Sequence, residues 1–87
     1  MYIHLGQSVV VRDRDVVGVF DLDNASWSHR TRTFLERAER EGRVLSATDD
    51  LPRSFVLCRR EGGDPIIYLC QLSSSTLKGR MEGKGFE

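Results

Sequence analysis

The strongest constraint on this chain is the single helical period it carries among short apolar runs. Between residues 25 and 41, Trp27, Thr31, Phe34, Leu35 and Ala38 recur at i, i+4, i+7, i+8 and i+11. That spacing puts them on one face of a 3.6-residue repeat and predicts an amphipathic helix. Asn24 or Ser26 supplies a short side-chain oxygen for the free N–H groups at its start. Gly42 stands where a left-handed residue closes a helix. Glu36 and Arg40 are placed for an i,i+4 pair. Arg30, Arg32, Arg37, Arg40 and Arg43 alternate with Glu36, Glu39 and Glu41, so the polar side reads as a solvated mixed-charge face.

The chain before that helix, and most of the chain after it, reads as strands. "MYIHL" and "SVVV" flank a turn or bulge at Gly6-Gln7. "VVGVFDL", residues 16–22, is a strand in which Gly18 marks a bend or a close backbone approach. "RVLSAT", 43–48, comes after the helix, and Pro52 in "DDLPR" breaks the chain. "SFVLCRR" and "PIIYLCQL", joined across Gly62-Gly63, form an antiparallel hairpin. Ser73, Ser74 and Ser75 then precede "TLKGR" and read as the capped start of a short C-terminal helix. The expectation is one α+β domain over 1–82: a bent, mostly antiparallel sheet, one helix over about 25–41, a short C-terminal helix, and a frayed tail at 83–87.

The chemistry of an enzyme is not assembled here. Ser75-x-x-Lys78 has the spacing of a serine–lysine nucleophile, but the companion motifs of that chemistry are missing and 87 residues are too few for its fold. Asp21, Asp23, Asp49 and Asp50 fall at expected turns, where Asp bonds nearby backbone. "EGGDP" lacks the Lys and following helix of a phosphate loop. Cys58 and Cys70 lie in apolar runs and read as small buried hydrophobes. With His4 and His29 they show no metal-ligand spacing. No metal, cofactor or catalytic residue is expected. No run approaches the ~18 apolar residues of a membrane span, and "MYIHLG" lacks the basic start of a signal peptide. The sequence therefore reads as cytoplasmic.

Thirteen basic and thirteen acidic residues leave no net charge. A nucleic-acid partner then requires the basic groups to be segregated on one face. The candidates are small clusters on loops and ends: Arg12 and Arg14, Arg53, Arg59-Arg60, and Lys78 with Arg80. Guanidinium and ammonium groups suit phosphate oxygens. One subunit carrying so few of them binds weakly, whereas many copies bind through multivalency.

"MYIHLG", "DVVGVFDLDN" and "LSSSTLKGR" occur here in that order. Together they resemble the RemA/RemB family of bacterial extracellular-matrix (biofilm) regulators, most of all its RemB branch, over residues 1 to about 80. The resemblance implies a non-enzymatic, DNA-binding transcription regulator. It further implies a LytTR-related fold, and self-association into a ring that is octameric in the known RemA case. In the RemA branch arginines follow the Ala-Thr that ends the strand after the helix. Here Ala47-Thr48 is followed by Asp49 and Asp50, and Arg53 is the one basic residue of "DDLPRS". Arg14 falls at or beside a second basic contact, with Asp15 adjoining. The resemblance thus implies DNA contact through Arg14 and Arg53, with Arg12, Lys78 and Arg80 as further candidates, and the nearby acids weaken phosphate affinity. The alternative it leaves is a ring-forming interaction module that partners a RemA-type protein and has little DNA affinity of its own.

Overall fold

A computed structural model describes residues 2–22 and 29–83. The expected caps Asn24 and Ser26, the apolar Trp27, and the tail beyond Gly83 lie outside the described residues.

Among the described residues six strands and two α-helices are ordered β1 (Tyr2–Gly6), β2 (Val9–Arg12), β3 (Val16–Asp21), α1 (His29–Arg40), β4 (Val44–Ser46), β5 (Ser54–Cys58), β6 (Ile66–Cys70) and α2 (Ser74–Gly83). A 3-10 turn, Asp13–Asp15, separates β2 from β3. The class is α+β as expected, but the strands form two sheets rather than one bent sheet. β1 and β2 make a two-stranded ribbon, and the other four are ordered β3-β5-β6-β4. The cause lies in the connection. The Asp13–Asp15 turn breaks the extended chain just where β2 would continue into β3, and the ladders shift register at His4/Gly6 and at Val16/Gly18.

In the larger sheet β5 pairs antiparallel with both β3 and β6, while β4 pairs parallel with β6. β3, α1 and β4 are thus a β-α-β unit with the β5–β6 hairpin inserted between its strands. This placement explains the uninterrupted apolar runs of the hairpin, because both of its faces are covered. Phe55 and Ile67 meet Ala38 of α1, with Phe34, Leu35, Val44, Leu57 and Leu69 packed around them. Val56, Cys58 and Cys70 face the other way, onto Ile3, Leu5 and Val11 of the ribbon and Leu77 of α2. The three layers are helix, sheet, and ribbon with α2.

Local chemistry fixes the ends. Gly42 has φ +74°. The Arg43 amide donates to the Ala38 carbonyl at 2.9 Å and the Gly42 amide to Glu39 at 3.1 Å, the double bond of a Schellman stop. The pair that forms on the outer face of α1 is Arg37 with Glu41, at 3.4 Å, in place of the expected Glu36–Arg40. Arg43 also bonds Glu41, which lowers the carboxyl's pKa. Arg43 is diverted across to the loop before β6, where its Nη1 donates to the Pro65 carbonyl at 2.6 Å.

Of the three candidate serines, Ser73 is the cap of α2. Its Oγ accepts from the Thr76 amide at 3.2 Å, and its carbonyl opens the helix by accepting from Leu77 at 3.1 Å. Ser75 Oγ lies 3.1 Å from Ser73 Oγ, inside this capping network. Cys58 and Cys70 are buried and free, as their apolar setting predicts. Cys70 pairs with Ser54 and Cys58 with Ile66, at opposite ends of the hairpin. Four residues of strand separate them by roughly 13 Å, beyond the ~7 Å reach of a disulfide.

Candidate nucleic-acid interface

The antiparallel register of β3 on β5 decides where the basic residues go. Val16 lies opposite Cys58, and Asp21 opposite Ser54. Arg14 and Arg59 are therefore carried to one end of this pair, and Arg53 to the other. The Arg59 amide donates to the Asp15 carbonyl at 2.8 Å, which closes the first end. At the second end the Arg53 carbonyl accepts from Leu22 at 2.9 Å, and its amide donates to Cys70 at 2.7 Å. The two ends stand roughly 15 Å apart along β3. The five candidates are not brought onto one patch.

At the first end the four arginines differ. Arg12 is half-buried, and its Nε donates to Asp15 Oδ2 at 3.1 Å with a longer contact from Nη2 at 3.5 Å. That ion pair occupies most of its fork. Asp15 is only 14 % exposed, so it is held as Arg12's counter-ion. Arg14, Arg59 and Arg60 are exposed, and no ion pair between described residues uses them. Asp13 is committed locally, accepting from the Arg14 amide at 2.8 Å. The acids Glu61 and Asp64 lie in the hairpin loop and are exposed. Arg14 with Arg59 and Arg60 is the grouping that the sequence did not show. Its signal was the Asp15-to-Arg59 pairing, which no spacing along the chain reveals.

At the second end Arg80 is exposed and uses part of its guanidinium within the fold. Its Nη1 donates to the His4 carbonyl at 3.0 Å and so fastens α2 to β1. It lines a hollow with Thr48, Asp49, Asp50 and Gln71. Gln71 Nε2 bonds Asp50 at 3.2 Å and the Asp50 amide donates to Thr48 Oγ1 at 3.0 Å, so the acidic loop is ordered. Lys78 is exposed on α2. Among the described residues no cluster of His, Cys, Asp and Glu is arranged to hold a metal. No described helix is long and apolar enough to cross a membrane.

No family model matches the chain. A curated protein, the extracellular matrix regulatory protein B of Bacillus subtilis (strain 168), is 39 % identical over 82 residues. The alignment spans 94 % of this chain and 91 % of that protein. Identity of that degree over nearly the full length of both, together with the terminal motifs and the α+β fold, means that the chain belongs to the RemA/RemB family of extracellular matrix regulatory proteins.

Proposed function

We propose that this protein is a cytoplasmic, non-enzymatic regulator of extracellular-matrix genes that acts by binding DNA as an oligomer. Family membership carries this reading. The exposed guanidinium groups of Arg14, Arg59 and Arg60 support it, because charge-assisted contacts to phosphate need unpaired forks on an accessible surface. Arg53 supplies a separate contact at the far end of β3. Self-association into a ring of LytTR-related subunits raises the weak affinity of each copy by multivalency. β3 and β4 are the edge strands of the larger sheet, and sheet edges suit contacts between copies.

The test is a titration on an AT-rich promoter duplex at 50 and 200 mM salt. Affinity falls steeply with salt, and Arg14→Ala reduces the slope of log K against log salt by about 0.9. A flat salt dependence overturns the reading.

A second reading is favoured by one observation. Asp49 and Asp50 are ordered beside Arg80, so this rim repels phosphate. The protein is then a ring-forming module that pairs with a RemA-type partner and has little DNA affinity of its own. Light scattering of each protein and of the mixture separates the two readings: a monomer that the partner does not recruit overturns this one.

A further inference from the structure

Where the ribbon leaves the larger sheet, a cleft of about 360 Å³ opens between them, near the lower bound for small-molecule sites. Tyr2 and Val10 of the ribbon and Ile66 and Tyr68 of β6 line it, together with the buried Cys58. Two cations, Arg12 and Arg60, and one carboxylate, Asp15, reach it. Asp15 is consumed by Arg12. Among the described residues Arg60 is in no ion pair, and no hydrogen bond uses its guanidinium or the Tyr68 hydroxyl. The cleft thus sets an unused five-donor fork and an unused hydroxyl beside apolar and aromatic walls.

We propose that this cleft binds a small phosphorylated aromatic compound of the nucleoside monophosphate class. The phosphate takes the Arg60 fork, with the remaining Nη1 of Arg12 and the Tyr68 hydroxyl as further donors. The ring lies among Val10, Tyr2 and Ile66. Arg60 suits this better than a lysine would, because its planar fork meets two phosphate oxygens at once. The ligand contacts both sheets, so it fastens the ribbon to the larger sheet. This site shares Arg60 with the DNA reading but needs neither Arg14 nor an oligomer, so each can fail without the other.

The experiment is a titration of the full chain with AMP, inorganic phosphate and adenosine, followed by amide chemical shifts. AMP binds at least tenfold more tightly than either fragment, and the shifts fall on Tyr2, Arg12, Arg60 and Ile66–Tyr68. Arg60→Ala weakens AMP binding tenfold or more and Tyr68→Phe severalfold. Arg14→Ala, outside the cleft, leaves it unchanged. Both variants keep the wild-type spectrum elsewhere, because Arg60 is exposed and Phe preserves the ring of Tyr68. The proposal is overturned if AMP produces no shifts at 5 mM, if it binds no better than inorganic phosphate, or if Arg14→Ala and Arg60→Ala weaken it equally, since equal losses mean unspecific surface charge.

Discussion

Replacing Gly6 by alanine should cost this protein a large share of its stability. Gly6 has φ +142°, a region L-residues avoid, and a Cβ built there stands 2.5 Å from the Ala47 carbonyl oxygen. A real Cβ does not approach closer than about 3.0 Å, so the backbone must part by half an ångström or more. Ala47 cannot yield freely, because its own amide donates to the Leu69 carbonyl at 2.8 Å in the β4–β6 ladder. Backbone strain of about 1–3 kcal/mol and about 1 kcal/mol for the weakened ladder bond give a cost of roughly 2–4 kcal/mol. A domain of this length has on the order of 4–13 kcal/mol in all. In urea, at a slope near 1 kcal/mol/M, the midpoint falls by about 2 M or more. Gly79→Ala is the control: nothing lies within 4 Å of its added methyl in α2, and the midpoint rises slightly. Ala47→Gly does not rescue Gly6→Ala, because the collision is with backbone and not with the Ala47 methyl. A Gly6→Ala midpoint within 0.3 M of wild type, or rescue by Ala47→Gly, would refute this packing of the ribbon on the larger sheet.

Ser73→Ala removes the α2 cap and costs about 1 kcal/mol, read as a lower urea midpoint and faster amide exchange at Thr76; Ser75→Ala stays within about 0.5 kcal/mol. Burial, with the Asp15 charge as a lesser cause at Cys58, raises the Cys58 thiol to about 11, and burial alone raises Cys70 to about 11. The unfolded thiols ionise near 8.5, so between there and about 11 the unfolded chain binds fewer protons than the folded one and stability falls as pH rises, by on the order of 3 kcal/mol per thiol at the limit. Urea midpoints at pH 8 and 10.5 check this, and a Cys58→Ser/Cys70→Ser double variant flattens the dependence; an unchanged wild-type midpoint contradicts it. Arg14→Ala and Arg53→Ala have additive effects on DNA affinity, to within about 0.5 kcal/mol, because roughly 15 Å of strand separates the two ends. Coupling above 1 kcal/mol in that cycle would place them on one contact.

The fold was legible wherever a short-range pattern decided it. The α1 period, Gly42 as its stop, the β5–β6 hairpin and the serine cap of α2 each depend on a few neighbouring residues, and each is where the sequence places it. The number of sheets was not legible. "VRDRDVV" reads as continuous extended chain, and only the Arg12–Asp15 ion pair and the turn it braces separate β2 from β3. The parallel pairing of β4 with β6 was equally hidden. It depends on α1 crossing the hairpin face, a long-range choice made by Phe34, Leu35 and Ala38 packing onto Phe55 and Ile67.

The candidate site was legible as a set of residues and not as a place. Arg53 and Arg59 are neighbours in the sequence, yet β5 lies between them and sends them to opposite ends; Arg14 and Arg59 are distant in the sequence, yet the Asp15–Arg59 bond sets them side by side. Arg80 is a surface cation that also fastens α2 to β1 through its Nη1. The separation has a physical consequence. Roughly 15 Å of strand exceeds the ~8 Å screening length at physiological ionic strength, so the Arg14 and Arg53 ends do not sum into one field on a single subunit. A phosphate backbone that engages both must run along β3, or pass from the Arg14 end of one copy to the Arg53 end of another. Either path makes the geometry of the bound DNA a property of the β3 edge and its neighbours, not of any one arginine.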